Sequence, residues 1–479
     1  MDSFSLRISQ VLSNCSSEPF DFCISSNHNW LIHGSSDGNI FSLYDWLEDK
    51  KYFGNGILEY TDCSNFCQGH YAVKKYFEIL RFRLSEIESN GLYYQQRYHA
   101  TENDNVITLK EYLGDIKEPY FISLIEAFGL KYLMDESINM LSSGEFRKAT
   151  IVKTSMLKPR ILFIEEPYIG LDKDGKEKID SLLEHIACEI TAIIIASTGK
   201  HIPHFITDIL HIHQGKVIFS GSKQLYKVPV EQSVKKISFK NPKSSCDNYA
   251  NAFELKNLTL KYGEHIVLKN INWKVVKGEK WLLSGKNGSG KSMLLSLLYA
   301  DNPQVYSNEV YLFDIRRGSG ESIWDIKDKI SFYSSEMYRY FDKSLTIDES
   351  VKYLIFQNPY KKREFSNDEL AFKEFLMDYF GFANNDHVAL FDLSSARQRL
   401  VLIMAAILKN SPFLILDEPF QGFDEKLIKK TLLLIEEYVK TRTFILVTHN
   451  PEEIPACIQK QFHLNNNEGK EVVLSSQLG

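Results

Sequence analysis

The residues with the most explicit chemistry form one short run, Gly285-Lys286-Asn287-Gly288-Ser289-Gly290-Lys291-Ser292. Its three glycines let a backbone wrap closely enough around phosphates for its N–H groups to point at them. Lys291 supplies a point charge for the outer phosphates, and the Ser292 hydroxyl suits Mg2+. Downstream, Phe413-Leu-Ile-Leu-Asp417-Glu418-Pro419 is an apolar run ending in two acids. The first carboxylate suits Mg2+ coordination and the second suits polarising an attacking water. A further apolar run, Phe444 to His449, ends in a histidine able to reach a γ-phosphate. These residue types in this order predict binding of a nucleoside triphosphate with Mg2+ and transfer of its terminal phosphoryl group to water.

Such groups need rigid elements to hold them. Trp281, Leu282 and Leu283 read as a strand entering the loop, and Met293, Leu294, Leu295, Leu297 and Leu298 as the helix leaving it. The N-terminus of that helix adds the positive end of its dipole to the anion site. Ahead of the acidic strand, Leu393-Ser394-Ser395-Ala396-Arg397-Gln398-Arg399 opens another helix, continued by Leu400, Ile403, Met404 and Ile407. The order of loop, helix-opening segment, acidic strand, a loop with Gly422 and Asp424, and histidine resembles the nucleotide-binding domain of ABC ATPases. The resemblance implies that Tyr262, in Leu260–His265, stacks on adenine and that the Leu393 segment is the family's signature. It also implies two domains closing head to tail, each ATP lying between the phosphate loop of one and the signature of the other.

The first half repeats the pattern. Leu141-Ser142-Ser143-Gly144-Glu145 lies 252 residues before the Leu393 segment. Glu165-Glu166-Pro167, Gly170-Leu171-Asp172 and Ile202-Pro203 lie 252 before Asp417-Glu418-Pro419, Gly422-Phe423-Asp424 and Ile454-Pro455. Trp30–Gly34 matches Trp281–Gly285 at 251. An offset held across so many motifs marks an internal duplication. The expected fold is α/β: two tandem P-loop domains of ABC ATPase type, each with a mainly parallel sheet core and a helical subdomain. The first is expected over 1–228, closing with a hairpin at His211–Gly221. A polar linker follows over 229–251, and the second domain occupies 252–479.

The two copies are not chemically equivalent. Opposite Gly285–Ser292 the first half has Gly34-Ser-Ser-Asp37-Gly38-Asn39-Ile40-Phe41. Ile40 replaces the lysine, Phe41 replaces the hydroxyl, and Asp37 places a negative charge where phosphate would lie. Glu165 replaces the first acid, and the 252 offset puts Ser197 opposite His449. A charge-assisted hydrogen bond contributes about 1.5–3 kcal/mol, so the first loop is expected to bind ATP poorly or not at all. Its signature survives: Ser142 and Gly144, followed by Glu145, offer a hydroxyl and a backbone N–H at a helix start. In the second half Ala396 and Arg397 spoil the corresponding segment. The resemblance then implies one working composite site, built from Gly285–Ser292, Asp417, Glu418 and His449 with Ser142, Gly144 and Glu145, and one dead site.

Composition limits the alternatives. At 479 residues each half can bury its own core. A net charge of −6 argues against nucleic acid as a bulk electrostatic partner. No apolar run reaches the ~18–20 residues of a membrane span, and the chain lacks a cationic start followed by an apolar block, so a cytoplasmic location is expected, extending to the inner face of the membrane. Seven scattered cysteines fit a reducing compartment. Cys63, Cys67 and His70 stand at ligand spacing without the fourth ligand zinc usually takes, and read as ordinary loop residues. Gly318-Ser-Gly320 lacks a following lysine and reads as a turn.

Closer in, Asn302–Phe313, Arg316–Ser335, Ser142–Lys148 and Pro455–Ile458 resemble the tandem ABC ATPases of the ModF, or photorepair protein PhrA, family. That likeness implies ATP hydrolysis linked to molybdate transport through separate permease subunits. ABC transporter ATPases carry a glutamine after the strand Ile330–Ser334, where this chain has Ser335. The alternative is an ATP-gated clamp or regulatory scaffold acting on a ribosome, nucleic acid or protein. It is disfavoured by the short linker, the lost loop and the lack of coiled coil or zinc module. A nucleotide-binding pseudo-enzyme is opposed by the intact Glu418 and His449.

Overall fold

The computed structural model describes residues 3–11, 20–34, 42–48, 56–81, 107–138, 141, 143–168, 171, 173–189, 192–198, 201–213, 216–227, 237, 239, 248–262, 265–286, 288–356, 364–465 and 468–473. The chain divides into two compact units, Met1–Glu86 with Glu102–Gln232 and Gly422–Glu425, and Ile87–Thr101 with Ser233–Gln421 and Lys426–Gly479.

The first unit contains β1 (Phe4–Val11), β2 (Phe20–Ser25), β3 (Trp30–Gly34), β4 (Ile57–Asp62), β5 (Phe66–Gln68), β6 (Phe77–Arg81), β7 (Ile161–Glu165), β8 (Ala192–Ser197), β9 (Asp208–His213) and β10 (Lys216–Ser222). Four of these make an antiparallel sheet in the order β2-β1-β4-β5, and six make a second sheet, β10-β9-β3-β8-β7-β6. In the larger sheet only the terminal β9–β10 hairpin is antiparallel, and it falls on the expected His211–Gly221 segment.

Alternation explains why the parallel strands are apolar throughout. Trp30, Ile32, Phe163 and Ile194 point into a core shared with Phe4, Leu6, Tyr60 and Tyr44. Leu31, Leu162, Ile164, Ile193 and Ile195 point the other way, against Leu124, Val152, Leu182 and Ile186. Those last residues lie on the helices Pro119–Ala127, Ser143–Ser155 and Lys173–Ala187. Both faces of the sheet are thus covered, as parallel strands require.

The second unit repeats this plan with β11 (Asn251–Tyr262), β12 (His265–Val276), β13 (Lys280–Gly285), β14 (Glu309–Leu312), β15 (Ile315–Arg316), β16 (Ile330–Ser334), β17 (Phe413–Asp417), β18 (Thr443–Val447), β19 (Lys460–Asn465) and β20 (Glu468–Val473). Its sheets run β12-β11-β14-β15 and β20-β19-β13-β18-β17-β16, the same two orders in the same sequence of strands. Trp273 and Trp281 are buried between the layers, with the Trp273 ring stacked on Phe462 at 4.4 Å. The small antiparallel sheet of each unit was not foreseen from the sequence. Among the described residues no helix is long and apolar enough to cross a membrane.

Candidate functional site

In the second unit β13 runs into the Gly285–Ser292 loop and the helix Lys291–Leu298 leaves it. Two glycines are obligatory here. Gly285 has φ +149°, and a Cβ there would collide with the Leu464 carbonyl oxygen and lie 2.7 Å from the Ser289 hydroxyl. Gly290 caps the helix in the left-handed region at φ +92°, and its Cβ would press on Leu268 at 2.7 Å. Lys291 is only 8 % exposed, and its ammonium donates to the carbonyls of Gly285 (2.7 Å) and Lys286 (3.0 Å). The Ser289 hydroxyl is buried without a hydrogen-bond partner among the described residues. Asn287 lies outside the described residues, as does the side chain of Tyr262 at the end of β11.

β17 delivers the acids to the same place. Ser292 Oγ donates to Asp417 Oδ2 at 3.3 Å. Asp417 is 5 % exposed, and burial raises its pKa to about 6 against the pull of Lys291 and Ser292. Glu418 takes a left-handed conformation, φ 48°, and donates its N–H to Val447 O of β18 at 3.0 Å. That turn directs its carboxylate toward the residues that follow β18, where Oε1 lies 3.3 Å from His449 Nε2. Burial, then the charges of Asp417 and Glu453, raise the Glu418 pKa to about 8, with Lys291 opposing. Glu453 is a neighbour the sequence did not single out; it accepts a hydrogen bond from Thr448 Oγ1. A serine hydroxyl and a buried carboxylate beside a lysine are hard oxygen donors, so the donor set fits Mg2+.

The first unit places the corresponding groups differently. Glu166 shares the left-handed turn of Glu418, with φ 49° and its N–H on Ala196 O at 2.8 Å. Strand register pairs Glu165 with Ala196, as Asp417 pairs with Val447. His449 therefore corresponds to Thr198, not to Ser197 as the constant 252 offset indicated. The first unit carries one extra residue ahead of β8 and gives it back before Ile202. Thr198 and Ser197 both bond Glu166: Thr198 Oγ1 donates to Oε1 at 2.7 Å, its N–H at 2.8 Å, and Ser197 Oγ to Oε2 at 3.0 Å. Here the second acid is fully engaged in fixing a turn.

Of the surviving signature, Gly144 and Glu145 open the helix Ser143–Ser155, and a Cβ on Gly144 would touch Leu171 at 3.4 Å. Ser142 lies outside the described residues, as do Asp37, Ile40, Phe41, Gly170 and Asp172. In the second unit Ser394 caps the helix Ser395–Leu408, accepting from Arg397 N at 3.4 Å. Ser335 starts the helix Ser335–Tyr340, which Ser334 caps.

Among the described residues no group of three or more His, Cys, Asp or Glu side chains is arranged to hold a metal. Cys63 meets Ser3, Cys67 meets the Tyr76 hydroxyl at 3.8 Å, and the His70 ring packs on Trp46. Gly318–Gly320 is a turn, fixed by Glu321 accepting from the N–H groups of Gly318 (2.8 Å) and Ser319 (3.0 Å).

A family model described as "ABC transporter" matches residues 268–421. The ABC transporter ATP-binding protein ModF of Escherichia coli is 30 % identical over 376 residues, 74 % of this chain and 76 % of that protein. An uncharacterised ABC transporter ATP-binding protein of Schizosaccharomyces pombe is 28 % identical over 420 residues, 83 % of this chain and 84 % of its own. Another, of Saccharomyces cerevisiae, is 26 % identical over 507 residues, 91 % of this chain and 90 % of its own. These relatives span both halves.

Proposed function

The chain belongs to the family of ABC ATP-binding proteins, and from that premise we propose that it hydrolyses ATP at one competent site centred on Gly285–Ser292. The observation that carries this reading is the meeting of loop and acids, with Ser292 bonded to Asp417 and Glu418 beside His449. The backbone N–H groups of the loop and the Lys291 ammonium bind the phosphates, and the Tyr262 ring takes the adenine. Ser292 and Asp417 would hold Mg2+, which would supply positive charge against the charge developing on the outer phosphates. Glu418 accepts the proton of a water whose oxygen attacks the γ-phosphorus in line, while the bond to the bridging oxygen breaks and ADP leaves. His449 orients Glu418 and reaches the γ-phosphate.

Two further parts rest on the sequence. We propose a degenerate domain over 1–228, a linker over 229–251 and a competent domain over 252–479. Ser142, Gly144 and Glu145 then complete the ATP site in the head-to-tail manner of the family, because the better signature and the better loop lie in opposite halves. We also propose that the protein serves as the ATPase component of a transporter whose permease is a separate chain, at the inner face of the membrane. The name of the Escherichia coli relative supports this, with molybdate the cargo the resemblance implies. Steady-state ATP hydrolysis in Mg2+ tests the chemistry: Glu418→Gln is expected to lose about 10²–10⁴-fold in turnover while retaining ATP. Near-normal turnover in that variant removes Glu418 as the base.

A further inference from the structure

The first unit buries an arginine against its acidic strand. Strand register pairs Arg81, the last residue of β6, with Glu165 of β7, where the second unit pairs Ser334 with Asp417. Glu165 is thus the counterpart of the carboxylate that bonds Ser292. Arg81 Nε lies 3.4 Å from Glu165 Oε2, and Arg81 Nη2 lies 3.2 Å from Glu48 Oε2, just beyond the helix Ser42–Leu47. The Arg81 side chain is 5 % exposed and those of Glu165 and Glu48 are 12 % and 20 % exposed. Its guanidinium also stands 6.0 Å from the centre of the Tyr44 ring, whose hydroxyl bonds the carbonyls of Ile164 and Ile194. A buried guanidinium between two carboxylates from different elements supplies the positive charge that a divalent ion supplies elsewhere.

We infer that Arg81 is a built-in counterion that replaces the divalent cation in the first unit and ties β6, β7 and the Ser42–Leu47 helix together without metal or nucleotide. The inference deepens the reading that the first unit is not a working nucleotide site, and rests on it. With Glu166 engaged by Ser197 and Thr198 as well, both acids of the first unit have become structural. Reverting Arg81 to the serine of the register-equivalent position should expose two carboxylates to a divalent ion.

The full chain, free of nucleotide, is followed by hydrogen exchange in peptides covering Phe77–Arg81 and Ile161–Glu165. Arg81→Ser is expected to speed exchange there by about 10²–10³-fold, since it leaves buried charge uncompensated. Millimolar Mg2+ or Mn2+ alone should restore protection, and adding Glu165→Gln should abolish that response. Exchange at the wild-type rate, or a defect that the metal does not relieve, overturns the inference. Should Arg81→Ser fail to fold, Arg81→Met with Glu48→Gln and Glu165→Gln decides: regained protection supports the charge argument, and persistent unfolding refutes it. Two ATP molecules bound per wild-type chain would instead refute the functional reading, whatever the metal response of Arg81→Ser.

Discussion

Glu418→Gln should alter stability as well as turnover, and in the opposite direction. Glu418 titrates at about 8, chiefly through burial and then through the charges of Asp417 and Glu453, and its side chain is 20 % exposed. In the unfolded chain the same group titrates at the ordinary glutamate value of 4.5. Between those values the folded state binds more protons than the unfolded state. Stability contributed by this group therefore falls as pH rises through the window and levels off above its folded pKa. At about 1.4 kcal/mol per pKa unit, the proton that Glu418 keeps in the folded state at neutral pH, where the unfolded chain has lost it, costs on the order of 3 kcal/mol of stability. Glutamine keeps the shape and has no proton to lose. The variant is expected to exceed the wild type by about that amount near neutrality, with the gap widening toward about pH 8 and closing toward about pH 4.5. Urea titrations of the nucleotide-free chain in chelator, read by hydrogen exchange in Phe413–Asp417, isolate the second unit. A difference that does not vary with pH, or a variant less stable at the alkaline end, would refute the electrostatic account of this acid pair.

Two other outcomes are expected, the first from the geometry of the loop and the second from the sequence of its counterpart. Lys291→Ala removes a buried ammonium aimed along the loop, and should weaken ATP binding by about 10–100-fold in equilibrium titration, since charge-assisted bonds contribute about 1.5–3 kcal/mol; unchanged affinity would exclude Lys291 from the phosphate site. Glu418→Gln protein should saturate near one ATP per chain, and two equivalent nucleotides would show that the Gly34–Phe41 loop binds after all.

The loop and its acids were legible because their chemistry needs particular residue types close together in sequence. Gly285 and Gly290 cannot carry a Cβ where they stand, and Asp417 and Glu418 sit at the end of an unbroken apolar run. The duplication was legible because its motifs recur at a constant spacing, and both units keep one strand order. The antiparallel sheet of the second unit was not, because the alternation that marks a strand is interrupted. β11 and β12 change register between Leu255 and Leu258 and again before Leu260 and Lys261, so apolar residues do not recur at every second position. Arg81 was invisible for a different reason. A charged residue closing the strand Phe77–Arg81 reads as solvent-facing, and its partners Glu48 and Glu165 are distant in sequence. The Thr198 correspondence was hidden by a one-residue slip between two adjacent hydroxyl residues, which only strand pairing resolves.

The central claim is a single ATPase site that draws its loop from one half and its signature from the other. The most direct measurement compares turnover in Ser142→Arg and Ser394→Arg at equal folded fraction. Donors aimed at developing charge typically contribute ~10²–10³-fold in rate. Ser142→Arg should therefore lose about that much while its ATP affinity stays near wild type, and Ser394→Arg should remain close to wild type. Equal activity in the two variants would contradict the account and leave two halves that act independently.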